Sequence, residues 1–295
     1  MISIALIPAA GKGTRMLPNT RSYPKELMEF GEKPVIEHVI DNVKKSGVKR
    51  FLLIVGHKKG AIIDYLGDGH YFGVSADYIL QESEQGLGHA ILSGHSVIER
   101  DHTDFLVCFG DNIINPASEI SNLIELHEKL HPLATVMTFK TKTPQKYGVV
   151  KIVENKDKTL NIVDIKEKPQ SLEEQLPFKF EGMYHAVSSV LAFNVKIFDY
   201  IRALKPGYGG EIQITDAIGL AIQNNEKVLA YQLNGNFIDI GSWDYLKDLK
   251  KYFDDLTFEQ LDKIIAERND IMEKLKSDLQ QSEKALNLQK NHKYD

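Results

Sequence analysis

An apolar run from Ile2 to Ile7 empties into the loop Pro8-Ala9-Ala10-Gly11-Lys12-Gly13-Thr14-Arg15, and a helical pattern opens at Pro34 with Val35, Ile36, Val39, Ile40 and Val43 on one face. A near-continuous apolar strand is one buried on both faces, and a glycine-bearing loop joining it to a helix is the opening unit of an α/β sheet. The alternation continues. Gly47 closes the helix, Phe51 to Val55 reads as a second strand, Lys59 to Leu66 as a helix and Ala76 to Leu80 as a strand. Leu87 to Ile98 is helical, Phe105 to Phe109 a strand and Ala117 to Leu130 a helix. The pattern predicts a doubly wound, mostly parallel sheet.

The middle of the chain, about residues 134–190, reads differently. Ala134 to Lys140, Gly148 to Val153 and Leu160 to Ile165 are short strands separated by turn residues such as Asn155-Lys156-Asp157-Lys158, which predicts a strand-rich insert. Ser188 to Phe193 (strand), Val195 to Ala203 (helix), the loop Gly207-Tyr208-Gly209-Gly210, Thr215 to Asn224 (helix), Val228 to Leu233 and Phe237 to Ile240 (strands) complete a unit predicted to span 1–250. Residues 251–295 lack glycine and proline and carry Leu256, Leu261, Ile264, Ile265, Met272, Leu275 and Leu279 among charges, the pattern of an amphipathic helical tail. Such a tail packs on its parent domain or joins copies of the chain, and a homo-oligomer is expected on general grounds.

Thirty-six Lys and Arg stand against 41 Asp and Glu, a net charge of -5, so no global basic field draws nucleic acid or anionic lipid. An anionic ligand must be held locally. The one cysteine, Cys108, lies in an apolar run and reads as a small buried side chain; with no basic leader in residues 1–10 and no apolar stretch long enough for a bilayer, a cytoplasmic location is expected.

Gly11 and Gly13 make a loop whose backbone N–H groups can approach phosphate. It is not a P-loop, because Gly-x-x-x-x-Gly-Lys-Ser/Thr is absent, nor a dinucleotide fingerprint, because Met16 stands where a third small residue is required. By itself Gly-x-Gly fits a tight turn equally well. Lys12, Arg15, Arg21 and Lys25, in or just after the loop, could surround a polyphosphate.

Gly11-Lys12-Gly13-Thr14-Arg15-Met16-Leu17-Pro18, Thr20, Pro24-Lys25-Glu26-Leu27 and Lys33-Pro34 together resemble the signature of the sugar-1-phosphate nucleotidyltransferases. The resemblance continues in order through about residue 250: Gln81 with Gly86-Leu87-Gly88-His89-Ala90, Gly110-Asp111-Asn112, Lys146-Tyr147-Gly148-Val149-Val150, Glu167-Lys168-Pro169, Glu211 to Asp216, and Phe237-Ile238-Asp239-Ile240-Gly241. Glu29 departs from the pattern, which usually has proline there.

The resemblance implies a Rossmann-like nucleotidyltransferase fold and attack by a sugar 1-phosphate on the α-phosphorus of a nucleoside triphosphate, releasing pyrophosphate. Two anions must be neutralised and aligned, with no covalent enzyme intermediate, so cations and backbone donors supply most of the catalysis. Arg15 is expected at the triphosphate and leaving pyrophosphate, Lys25 at the phosphates of the nucleotide or the sugar phosphate, and Asp111 with Asp239 at one Mg²⁺, which prefers oxygen ligands and substrate phosphates. A lone strand-end aspartate would equally be a turn former. Ala9, Ala10, Gly11, Gly13, Glu26, Gln81 and Gly86 are expected on the nucleotide, where the Gln81 carboxamide suits a pyrimidine edge. Lys168 is expected on the sugar phosphate, Glu167 on sugar hydroxyls, and Gly148 and Val187 lining the sugar pocket; without the resemblance Glu167-Lys168 would read as a surface pair. His89 reads as a packing or capping residue.

The Pro-Lys-Glu-Leu and Gly-Leu-Gly-His-Ala segments are similar to the branch using UTP and glucose 1-phosphate. Leu66-Gly67-Asp68-Gly69 with Phe72-Gly73, Gly110-Asp111-Asn112 and Asp239-Ile240-Gly241-Ser242 look more like the branch using dTTP. One methyl group separates uracil from thymine. A non-catalytic nucleotide-sugar sensor is a rival reading, but it would be expected to have lost Arg15, Lys25 or an aspartate; a kinase-like enzyme lacks its own signature.

Overall fold

The computed structural model describes residues 1–16, 20 and 23–240, with Arg15 described through its backbone alone. In chain order, β1 (Ile4–Ala9) leads to the short strands β2 (Glu29–Phe30) and β3 (Lys33–Pro34) and to α1 (Val35–Lys45). Next come β4 (Arg50–Val55), α2 (Lys59–Leu66), β5 (Ser75–Leu80), α3 (Leu87–Ser93), α4 (His95–Asp101), β6 (Asp104–Cys108), β7 (Asn112–Asn115) and α5 (Ser118–Leu130). The second half runs β8 (Ala134–Thr141), β9 (Val149–Glu154), β10 (Leu160–Lys166), α6 (Leu172–Gln175), β11 (Lys179–Phe180) and β12 (Met183–Asn194). It continues through α7 (Ile197–Arg202), α8 (Ile214–Gln223), β13 (Val228–Gln232) and β14 (Asn236–Asp239).

The expected α/β architecture is present. The main sheet has the order β5-β4-β1-β6-β12-β8-β13-β10-β9. β5, β4, β1 and β6 pair in parallel, as strands returning through helical crossovers must. Antiparallel β12 then joins this half to β8, which pairs in parallel with β13, while β10 runs antiparallel to both β13 and β9. The sheet as a whole is therefore mixed.

β12 also pairs with β9 through His185↔Val150 and Ala186↔Val149, so β12, β8, β13, β10 and β9 close on one another as the strand-rich part. β12 starts at Met183, five residues before the expected strand, because its register against β8 shifts between Val187 and Leu191 and breaks the apolar pattern. The single helix expected from Leu87 to Ile98 is two helices meeting at Gly94. A Cβ at Gly94 would fall 2.6 Å from Leu6 Cδ1 and 3.1 Å from Leu52 Cδ2, so glycine there lets the chain lie on the sheet.

The apolar runs of β1, β4 and β6 are buried almost throughout, and α1 buries Val35, Ile36, Val39, Ile40 and Val43, the face its periodicity marks. A core cluster runs from Ile4, Leu6 and Leu52 through Phe105, Phe193 and Phe198 to Ile214 and Ile218 of α8. Phe105 and Phe198 stack with centroids 5.1 Å apart. Cys108 is buried, and burial raises its thiol pKa, in accord with a packing role. No helix among the described residues is long and apolar enough to cross a membrane. Met1–Gly241 forms one compact unit; the predicted tail, 251–295, lies outside the described residues.

Candidate active site

Parallel strands end together, and their carboxyl ends gather the residues expected to hold a nucleotide. Ala9 is the last residue of β1 and Ala10 follows it, both buried. Gly56 follows β4, and a Cβ there would lie 2.9 Å from both Ala10 Cβ and Ala10 O and 3.1 Å from Gln81 O. His57 N–H donates to Ala10 O, and Gln81 N–H to Val55 O. Gly56 was not singled out from the sequence, although it alone permits the close approach of these three strand ends. Gln81, just past β5, is buried and its carboxamide Nε2 lies 2.6 Å from His89 Nδ1.

The loop after β1 turns at Gly13, whose φ of +61° favours glycine. Thr20 Oγ1 donates to Gly13 O, and a Cβ on Gly13 would press to 2.9 Å from Thr20 Cγ2. Met16 N–H closes the short turn Thr14–Met16 on the same oxygen. Gly11 is exposed, with nothing within 4 Å of a would-be Cβ, so packing does not demand glycine at that point. Arg15 belongs to this turn; its side chain, Arg21 and Gly241 lie outside the described residues.

Lys25 and Glu26 follow on a single helical turn, Lys25–Leu27. Lys25 Nζ lies 2.5 Å from Asp111 Oδ2 and 4.0 Å from Glu26 Oε1. Glu26 is 1% exposed, and among the described residues its Oε2 has no hydrogen-bond partner. Burial pushes its carboxyl up to about 7, against the pull of Lys25 and with a further push from Asp111. Gly110 makes room: a Cβ there would lie 3.1 Å from Glu26 Cγ.

Asp111 and Asp239, 128 positions apart in the chain, are brought together by two short strands. β14 runs antiparallel to β7 with Asp239 opposite Asn112, and Ile240 N–H donates to Asp111 O at 3.2 Å. Asn112 Nδ2 donates to Asp239 Oδ1 at 3.1 Å. The sequence marked Asp111 through its place after a strand and through the Gly110-Asp111-Asn112 motif; β7, a four-residue strand beginning at the next position, was not foreseen. Phe237 of β14 stacks on Phe139 of β8 at 4.5 Å, and Tyr147 packs edge-on against Phe139. These rings tie the Asp239 strand to the strand-rich part.

There the expected sugar residues meet. Val149 pairs with Lys166 across β9 and β10, which sets Gly148 beside Glu167. A Cβ on Gly148 would lie 2.7 Å from Thr215 Cγ2, 3.0 Å from Glu167 Oε2 and 3.5 Å from Val187 Cγ2. Val187 N–H donates to Gly148 O, and Thr215 Oγ1 donates to Glu167 Oε2 at 2.9 Å. Lys168 Nζ lies 3.1 Å from Glu167 Oε1 and 5.3 Å from the centroid of the Tyr208 ring. Lys168 has φ of +40°, a left-handed backbone that an L side chain adopts at a cost. The carboxyl pKa of Asp216, next to Thr215, is raised by burial and then by Glu167. Thr215 and Tyr208 were not predicted as site residues; only their places in the Glu-Ile-Gln-Ile-Thr-Asp and Gly-Tyr-Gly-Gly segments could have drawn attention to them.

Gly86 is half-buried. A Cβ there would lie 2.7 Å from both Glu211 Cβ and Ile212 O, so glycine at 86 serves the docking of the β5–α3 connection on the segment before α8.

A family model described as nucleotidyl transferase matches residues 4–255. The chain is 36% identical over 245 residues to the bifunctional protein GlmU of Methanococcus maripaludis (strain S2), covering 82% of this chain and 52% of that protein. It thus spans about half the length of that relative. It is 28% identical to the UTP–glucose-1-phosphate uridylyltransferase of Staphylococcus haemolyticus over 263 residues, covering 81% of this chain and 88% of that one. A crystal structure of UDP-glucose pyrophosphorylase complexed with UDP-glucose superposes with a TM-score of 0.75 at 27% identity, covering 86% of this chain and 99% of that chain. Motif order, fold and these likenesses agree: the chain belongs to the nucleotidyl transferase family.

Proposed function

We propose that the protein makes UDP-glucose and pyrophosphate from UTP and glucose 1-phosphate. The observation that carries this reading is the β7–β14 pairing, which sets Asp239 against Asn112 and Asp111 with the Lys25 ammonium on Asp111. The Asp111 and Asp239 carboxylates offer hard oxygen ligands of the kind that suits Mg²⁺, whose shell is usually completed by water and substrate phosphate. The donor set fits. When bound, the ion would neutralise phosphate charge at the reacting centre.

The chain's own groups do the remainder. The Gly11–Gly13 loop presents backbone N–H groups to the triphosphate, and Arg15 joins it there. Lys25, on the oxygen of Asp111, is placed to contact the phosphates of the nucleotide. Ala9, Ala10 and Gln81 receive the base, and Glu26, beside Lys25, belongs to the same nucleotide site. Lys168 grips the sugar phosphate, while Glu167, steadied by Thr215 and lined by Gly148 and Val187, accepts from sugar hydroxyls. Each contact orients one anion toward the other, which suits an in-line displacement with no covalent enzyme intermediate.

dTTP is the second reading, favoured by the Gly110-Asp111-Asn112 segment; a methyl group changes selection by only about 1–3 kcal/mol. The deciding assay is pyrophosphate release with glucose 1-phosphate and Mg²⁺, offering UTP, dTTP, ATP, CTP and GTP separately and identifying the nucleotide sugar. Turnover selective for UTP is expected, with Asp111→Asn and Asp239→Asn each losing about 10²-fold or more. Full Mg²⁺-dependent activity in either variant would remove the metal assignment, and turnover with none of the five nucleotides would remove the reading.

A further inference from the structure

Gln81 Nε2 and His89 Nδ1 lie 2.6 Å apart. A carboxamide nitrogen carries hydrogens and no acceptor lone pair, so with the carboxamide in this orientation Gln81 donates and Nδ1 of His89 accepts. The imidazole stands on a fixed support. Ile212 N–H donates to Gln85 O at 2.7 Å and Gly88 N–H to Ile212 O at 2.8 Å, pinning the segment on both sides of Gly86. A Cβ at Gly88 would fall 2.8 Å from Ile212 O, so the start of α3 sits as close to its neighbour as a chain can.

We propose that His89 is a positioning residue that determines base specificity: by accepting one N–H of Gln81 it fixes which end of the carboxamide is oxygen, selecting uracil or thymine against cytosine. The inference rests on reading Gln81 as the residue that contacts the base. Uracil and thymine present N3–H between two carbonyl oxygens, whereas cytosine presents a lone pair at N3 beside an amino group. A carboxamide held with Oε1 toward N3, and its second N–H toward a flanking carbonyl, pairs with the first pattern. Against cytosine it sets lone pair on lone pair. A carboxamide free to turn over pairs with both.

The test uses the full-length protein, with UTP, dTTP and CTP affinities by calorimetry in Mg²⁺, and kcat and KM for pyrophosphate release. In His89→Leu the preference for UTP over CTP falls about tenfold or more, the cost of one opposed polar pair, and the change lies in Kd and KM while kcat for UTP stays nearly constant. His89→Asn, whose Oδ1 can accept from Gln81, restores the preference. His89→Lys, which can only donate, turns the carboxamide over and moves selection further toward CTP. A merely structural histidine would instead lower stability and kcat for every nucleotide alike. Unchanged preference in the Leu and Lys variants, or identical behaviour of Asn and Lys, overturns the proposal; the Asn and Lys contrast decides it even where Leu unfolds α3. Gln81→Ala separates the two ideas. A UTP preference that survives it removes the base-site reading and this proposal together, whereas a preference lost there but untouched at position 89 overturns only the role of His89.

Discussion

His185 is fully buried on β12 between Lys140 of β8 and Val150 of β9, and among the described residues neither ring nitrogen has a hydrogen-bond partner. Phe180 packs edge-on against it at 5.6 Å. Burial, helped by Lys140 and opposed by Glu181, lowers its pKa from 6.5, so the fold holds the neutral ring. The unfolded chain takes up a proton near pH 6.5 and the fold only at a lower pH. Stability from this site is therefore intact above about pH 6.5 and is lost as pH falls through that value. His127, buried against Thr135, has its pKa lowered by burial against the pull of Asp104 and acts with the same sign. His185→Leu should gain about 1–3 kcal/mol near pH 8 by removing two unpaired nitrogens, and should flatten the loss of stability below pH 6.5 without abolishing it. Urea unfolding at pH 5 to 8 measures both; parallel curves for the two proteins would show that His185 carries no such linkage.

The short strands β7 and β14 can pair only because Gly235, the residue before β14, carries no side chain. A Cβ on Gly235 would fall 2.2 Å from Asn115 O and 2.8 Å from Pro116 Cδ, and one of these is backbone. Gly235→Ala should push β14 off β7, costing roughly 1–3 kcal/mol of stability and weakening Mg²⁺ affinity at least tenfold through the displacement of Asp239. Thermal unfolding with Mn²⁺ titration followed by electron paramagnetic resonance reads both, and an alanine variant with unaltered ion affinity would break this link between turn and site. The same pair of strands marks where the sequence was legible and where it was not. β1, β4, β6 and α1 were readable because each buries an apolar pattern of its own. β7 has four residues and lies too close to Asp111 to show a period, and its pairing with β14 is a contact across more than 120 positions. The gathering of Gly148, Glu167 and Val187 was readable from motif resemblance alone, since glycine, valine and a Glu-Lys pair report nothing specific. Thr215 escaped because it acts on Glu167 through one hydrogen bond, for which a sequence carries no signal, and the contact between Gln81 and His89 was equally invisible there.

On the scale of the molecule, the residues proposed for the two substrates belong to different parts of one sheet. Gln81 leaves it after β5, at the edge of the parallel half, whereas Lys168 follows β10 in the closed strand-rich part, with β4, β1, β6, β12, β8 and β13 intervening. The β7–β14 ladder carries Asp111 from the first part and Asp239 from the chain that returns after β13. Groups on separate elements with no shared partner contribute independently to binding. Gln81→Ala should therefore raise the KM for nucleotide with little change in that for glucose 1-phosphate, and Lys168→Ala should do the reverse by about 10–100-fold, the loss of a charge-assisted contact. In the double variant the two losses in kcat/KM should multiply. A marked departure from the product would mean that the two halves close on their substrates together, so that filling one end alters the other; unchanged glucose 1-phosphate KM in Lys168→Ala would instead move the sugar phosphate away from the Glu167–Lys168 corner.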